Sequence, residues 1–514
     1  MCRARSSSRG SSVGTVPVTI LVVLALVLVL VLPFPPQAVR TVGEATPFRW
    51  DAAEMFESLE AEFESARAMP RDRAQAAAEL MEGQGRALLE QIAVAEVLPV
   101  DALEELAELQ FRYGVLGAAH PELLPEVEAL ISGARVEVMT AAAGWVGERE
   151  THESLYRVVF GGRLTMEEAI VQAGPVGSDL VQIEDIASAT PFLDVQGVRV
   201  HSGDILLSRG GAPTSALIAR GSDFANTFSH AALVHVDEAT GVGTVVESLI
   251  ETGTVLTTVD EYLEGKKHRI LVLRLRPDLA ELQSDPLLPH RAATQMLQRL
   301  RVDPAPYDFA MDWTDPERMF CSEVIYHAFS GLGLDLWSHR SAMTTPGLVR
   351  WLSAMGVREF RTLVPSDLEY DARFRAVVEW RDVGALMDYR LDNAITDVLL
   401  ERADAGSDLG YPWLMRPAGR LLKALSVGQS AVGSRPRIPA GMTVDAALRV
   451  RALVEVVHPL LKTKLVDRAR SFEMERGYPA PYWVLVELAR QTLEQSGGAL
   501  EPSLQSGEAL PLPR

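Results

Sequence analysis

"MFCSEVIYHAF", Met319–Phe329, holds the only cysteine of the 514-residue chain apart from Cys2. Val324, Ile325, Ala328 and Phe329 recur at helical spacing, so Cys321 stands at the start of an amphipathic helix. There the helix dipole and the unpaired N–H groups of the first turn lower a thiol pKa. Ser322 and Glu323 suit that first turn. From this stretch alone, Cys321 reads either as a small buried hydrophobe or as a nucleophile that needs a base.

The bases available are ten histidines. His230, in "FSHAALVHV", opens a run that alternates like a strand. In a strand, His230, Ala232 and Val234 share one face and His235 points to the other, so the two histidines make a poor metal pair. No other His/Cys grouping has zinc spacing, and no metal is expected. His327 follows Cys321 by six residues, about 240° round the helix, and is a poor partner for it. Within "TVVESLI", Glu247 sits among apolar neighbours. Such a carboxylate either faces water from an edge strand or is buried with a partner. Glu251 is the alternative carboxylate.

Farther out, the chain divides by texture. Its length calls for two or three domains, and 47% hydrophobic with 23% charged residues is globular. A net charge of −20 lacks the basic stripe that a nucleic-acid protein needs. With two cysteines, one of them at position 2, no disulfide framework is expected. Arg3, Arg5 and Arg9 precede "VPVTILVVLALVLVLVLPF", Val16–Phe34, an uncharged stretch close to the length that spans a bilayer. We read residues 1–12 as a cytoplasmic tail and 13–35 as a signal anchor, with the chain after about residue 40 exported. If the segment is cleaved, the protein is secreted. Residues 45–190 read as a helical domain and 195–365 as an α+β domain. Residues 366–495 read as a helical C-terminal region and 496–514 as a disordered tail.

"GDILLSRG", "FSHAALV", "VVES", "YDF" and "FCSEVIYHAF", in that order over roughly residues 200–345, resemble the YiiX/YebB-type cysteine hydrolases. These are a circularly permuted branch of the NlpC-like papain-fold superfamily. The resemblance implies a permuted papain-like catalytic domain with Cys321 as nucleophile, His230 as base and Glu247 as the group that orients it. Tyr307, in "PYDF", would line the site, and Tyr307 and Ser322 are the expected substrate or oxyanion residues. Asp204, in "SGDILL", recurs in the family motif but reads best as a turn carboxylate capping local N–H groups. No metal or organic cofactor is implied. The expected activity is that of a membrane-anchored, exported cysteine hydrolase cleaving an amide, with a cell-wall peptide as first candidate. A lipid-directed acyl hydrolase or acyltransferase is the second, and an inactive binding protein on the same fold the third. Expected partners are a peptide or lipid amide or ester substrate in the cell envelope and the membrane itself, not nucleic acid.

Overall fold

Alternating apolar segments between residues 180 and 381 build one seven-stranded sheet in a computed structural model of the chain. The structure describes residues 42, 46–50, 52–145, 148–174, 177–431, 436–500 and 504–506. The expected anchor at 13–35 lies outside them. Among the described residues, no helix is long and apolar enough to cross a membrane.

The sheet strands are β1 (Leu180–Gln182), β4 (Ile205–Gly210), β5 (His230–Val236), β6 (Gly243–Leu249), β7 (Gly253–Thr258), β8 (Lys267–Leu275) and β9 (Phe374–Arg381). Their order is β1-β9-β8-β4-β5-β6-β7, and every neighbouring pair is antiparallel. A hairpin of β2 (Phe192–Val195) and β3 (Val198–His201) stands beside it. Ala231, Leu233 and Val246 turn to one face, where helices Leu288–Val302 and Cys321–Ser330 complete a core. Ala232, Val234 and Val245 turn to the other, against Val198, Val200 and Tyr262. His235 stacks on His290 of the Leu288–Val302 helix, rings 5.4 Å apart, so it does take the face opposite Ala232.

Five helices between Ala52 and Ala173 form the region before the sheet, and five more between Leu386 and Leu500 follow it. The seam between the first region and the sheet is electrostatic. Arg163 pairs with Glu369 and lies 3.8 Å from Glu379; Arg135 reaches Glu369 at 2.7 Å. Arg269 of β8 pairs with Glu379 and, at 2.7 Å, with Glu167. All six side chains are buried. Burial opposes ionisation of Glu369 and Glu379, yet the facing arginines hold both below the usual carboxylate range.

Three boundaries differ from the sequence expectation. β1 falls in the region read as helical up to 190, and β9 in the region read as helical from 366. β9 carries Arg375 and Glu379 four residues apart, a spacing that mimics a helix face, but Glu379 and Arg381 form ion pairs under the helical region. The tail read as disordered from residue 496 holds the end of the Tyr482–Leu500 helix. It also holds β11 (Leu504–Ser506), which pairs with β10 (Ser407–Leu409).

Candidate active site

His230 opens β5 and Glu247 lies on the adjacent β6, on the same side of the sheet. Nε2 of His230 is 2.7 Å from Oε2 of Glu247. Glu247 is buried and paired rather than water-facing, and its Oε1 accepts 3.2 Å from the Thr257 hydroxyl on β7. Glu251 is exposed and is not this partner. With Nε2–H donated to the carboxylate, Nδ1 is left as the acceptor of the ring.

Cys321 is the first residue of its helix, as its position before the apolar stripe implies. The helix packs on the face opposite His230, but it begins where β5 begins, and the thiol hydrogen-bonds with His230 across the strand end. The Ala231 N–H also reaches the sulfur. The entry to this helix is pinned from the next residue along β6. Ser248, turned to the helix side, donates to the Met319 carbonyl at 2.5 Å.

Burial opposes charge on both partners, and their mutual hydrogen bond and attraction overcome it. His230 is pushed up to about 9, with Glu247 adding to the effect. The thiol is drawn below its ordinary value by His230, with help from Ala231 and Ser322. The favoured form of the pair is therefore thiolate and imidazolium, from the depressed thiol pKa up to about 9. Glu323, two residues on, would oppose this if ionised. Burial first and Asp308 second push it up to about 10, so it is a neutral carboxyl at neutral pH. It accepts the Phe320 N–H at 2.6 Å and adds no second negative charge beside the sulfur.

Tyr307 is buried close enough to Cys321 for the thiol to influence its ionisation, after burial itself the main reason its pKa is raised. Its loop is braced by the β6–β7 turn. Gly253 has φ +79°, and a Cβ there would lie 2.4 Å from the Ala305 carbonyl, so only glycine lets the turn approach. Thr254 exchanges bonds with Ala305 at 2.9 and 2.7 Å. Ser322 is fully buried, so its hydroxyl, expected at the substrate or oxyanion, is turned into the protein beside the thiol. Asp204 accepts the His201 N–H at 2.7 Å and grips Arg274 at 2.9 and 2.8 Å, the structural role expected of it. Burial, and then Arg299, lower the pKa of His327, with Asp315 opposing them.

Three supporting residues escaped the sequence reading: Thr257, Tyr262 and Lys267. Tyr262 lies along His230, ring centroids 6.4 Å apart, and donates to Ser208 Oγ at 3.0 Å. Its short helix has a signature that was available in "TVDE". Thr258 and Glu261 form a capping box, with bonds of 3.1 and 2.9 Å. Lys267 sits over the Tyr262 ring at 3.8 Å and adds positive charge near Glu247. Away from the site, His268, Asp388 and Asp392 form the one group among the described residues with spacing for a metal ion. Lys462 already lies 2.9 and 2.7 Å from the two carboxylates and balances them.

Residues 199–378 match the model of a family described as permuted papain-like amidase enzyme, YaeF/YiiX, C92 family. A crystal structure described as metalloprotein yiiX from Escherichia coli O157:H7 matches at 18% identity and a TM-score of 0.28. The match covers 34% of this chain and 95% of that one. No curated protein matches the chain. Over residues 199–378, then, the chain carries a domain of the YaeF/YiiX-type permuted papain-like family, as its motifs imply.

Proposed function

We propose that Cys321, His230 and Glu247 are the catalytic triad of a cysteine amidase. The observation that supports this most is the unbroken chain of hydrogen bonds from the Cys321 thiol through His230 to Glu247, with the thiol at a helix N-terminus. The Cys321 thiolate attacks the amide carbonyl carbon, and the oxyanion forms near the first-turn N–H groups and the Tyr307 hydroxyl. The imidazolium of His230, held by Glu247, gives its proton to the leaving nitrogen as the C–N bond breaks. The neutral imidazole then takes a proton from water, which attacks the thioester. Breaking the C–S bond regenerates thiolate and imidazolium and releases the acid. No cofactor is needed for these steps. Met319–Phe329 thus supplies the nucleophile, and the stretch after Cys321 supplies the buried face that holds it.

The N-terminal arginines and the apolar run Val16–Phe34 support an anchored enzyme whose domain lies outside the cytoplasm, so the substrate is an amide of the cell envelope, with a cell-wall peptide first. Incubating the full chain with muropeptides and reading the products by mass spectrometry tests this. New amine termini that appear with the wild type and not with Cys321→Ala support it. Cleavage that survives Cys321→Ala overturns the covalent mechanism.

A further inference from the structure

The helix Met415–Ala431 of the C-terminal region is apolar on two faces, and only one of them is covered. Met415 and Gly419 turn inward against Val444 and Leu448, and Leu422 packs with Ile438, Met442 and Ala446. The seat is close: a Cβ on Gly419 would meet Val444 at 2.7 Å. The outward face carries Leu414, Ala418, Leu421 and Leu425, three or four residues apart, with Trp413, Ala424 and Val427 beside them, and all seven are exposed. Among the described residues fourteen large apolar side chains are exposed, and Trp413, Leu414, Leu421, Leu425 and Val427, at 58–68%, are five of them. The other nine fall in ones and twos from Leu80 to Met474, so this is the one sustained run, and such a run marks an interaction surface.

Charge selects the partner. Between Asp408 and Asp445 thirty-six residues include no Asp or Glu and five cations, Arg416, Arg420, Lys423, Arg435 and Arg437, in a chain of net charge −20. The one other acid-free stretch as long is residues 1–43, which holds the apolar run Val16–Phe34. Arg416 is balanced by Asp445 at 3.1 Å. Lys423 donates to the Pro439 carbonyl at 2.6 Å, and among the described residues no carboxylate pairs with it or with the exposed Arg437. Unbalanced cations beside an uncharged apolar face fit the interface of a bilayer that contains anionic lipid.

Length and chemistry set how the helix meets it. Seventeen residues rise about 26 Å, short of the hydrocarbon core, and three cations interrupt them, so the helix lies along a bilayer and not across it. Trp413 at its start suits the head-group level. A second copy of the chain fits less well. Docking by two-fold symmetry would gather the same cations around the contact, with no acid in the segment to pair them. We propose that the outward face of Met415–Ala431 rests in the interface of an anionic bilayer, Leu421 and Leu425 toward the acyl chains and Lys423 and Arg437 toward lipid phosphates. The contact rests on neither the triad nor the anchor read at 13–35.

The test uses the full chain, carrying Cys2→Ser and Cys321→Ala, in nanodiscs holding one chain each. A nitrobenzoxadiazole label on Leu421→Cys reports polarity and quenching by doxyl-labelled lipid. The control label is on Met474→Cys, exposed between Glu473 and Glu475. In discs containing phosphatidylglycerol the 421 label should shift to shorter wavelength and be quenched, and the 474 label should not. The ratio of docked to undocked label should fall about tenfold or more in phosphatidylcholine discs, the worth of one or two cations near an anionic surface. Leu425→Glu, at an exposed position, should return the 421 label to water. A 421 label that stays in water, that matches the 474 label, that ignores lipid charge or that Leu425→Glu leaves in place overturns the proposal. A label shielded only in discs holding two chains assigns the face to a second copy and overturns it as well. Retention of the chain on the discs reports the anchor and the label reports the helix, so failure of one is not mistaken for failure of the other.

Discussion

Toward the β1 edge of the sheet, Arg163 and Arg269 sit among Glu167, Glu369 and Glu379. Toward the β7 edge, His230 sits between Glu247 and Cys321. Both clusters take charge out of water. The first uses arginines, which stay ionised at any working pH, so it is a fixed joint between two regions. The second uses an imidazole and a thiol whose protons can move, and its only lasting charge is the carboxylate. Its His230 side chain also keeps 18% of its surface open, whereas Arg163 keeps 4%. Buried charge acts as a clamp in one place and, on the function proposed above, as a reagent in the other, and the difference lies in which partners can titrate.

That contrast can be broken most directly at the nucleophile. Cys321→Ala is expected to lower amide turnover by about 10³-fold or more, while the urea midpoint shifts little, because a small buried side chain is replaced by a smaller one. A comparable loss of stability would mean that Cys321 is core. The converse holds for the clamp. Arg163→Met leaves Glu369 to Arg135 and Glu379 to Arg269 alone, and loss of one partner from this buried network should cost up to about 3–5 kcal/mol in denaturant unfolding. The alkylation rate of Cys321 in the folded protein should not change, and a change would show that the two clusters are coupled.

Glu247→Gln gives a smaller effect. It removes the charge that helps hold the imidazolium, so His230 titrates below about 9 and the thiol titrates higher. Iodoacetamide alkylation should slow on the rising limb of its pH profile, which should move up. The sign follows from the pair. Thiolate is present above the depressed thiol pKa, and its imidazolium partner is lost as pH rises through about 9. The smallest effect belongs to Glu323→Gln. A neutral carboxyl is exchanged for a neutral amide, so the alkylation profile between pH 6 and 8 should stay as in wild type. Faster alkylation in this variant would show that Glu323 is ionised.

The sequence alone located the candidate site. A helix start is visible in the apolar period after Cys321, and strand parity separates His230 from His235, because side-chain direction follows backbone period. "VVES" announced a carboxylate that must be paired if buried, and the structure pairs it with His230. The order of the five motifs gave the permuted papain-like fold of the domain. Tertiary structure decided the rest. Whether Cys321 and His230 meet depends on a helix and a strand on opposite sheet faces sharing one end, which no local pattern encodes. That Glu323 is neutral follows from burial and from Asp308 nearby, quantities set by packing and not by spacing. β9 passed for helix because its charges are satisfied by residues as far away in sequence as Glu128, Arg163 and Arg269. Local period records which face is apolar; long-range pairing records where a charge can afford to be buried, and only the folded chain contains that.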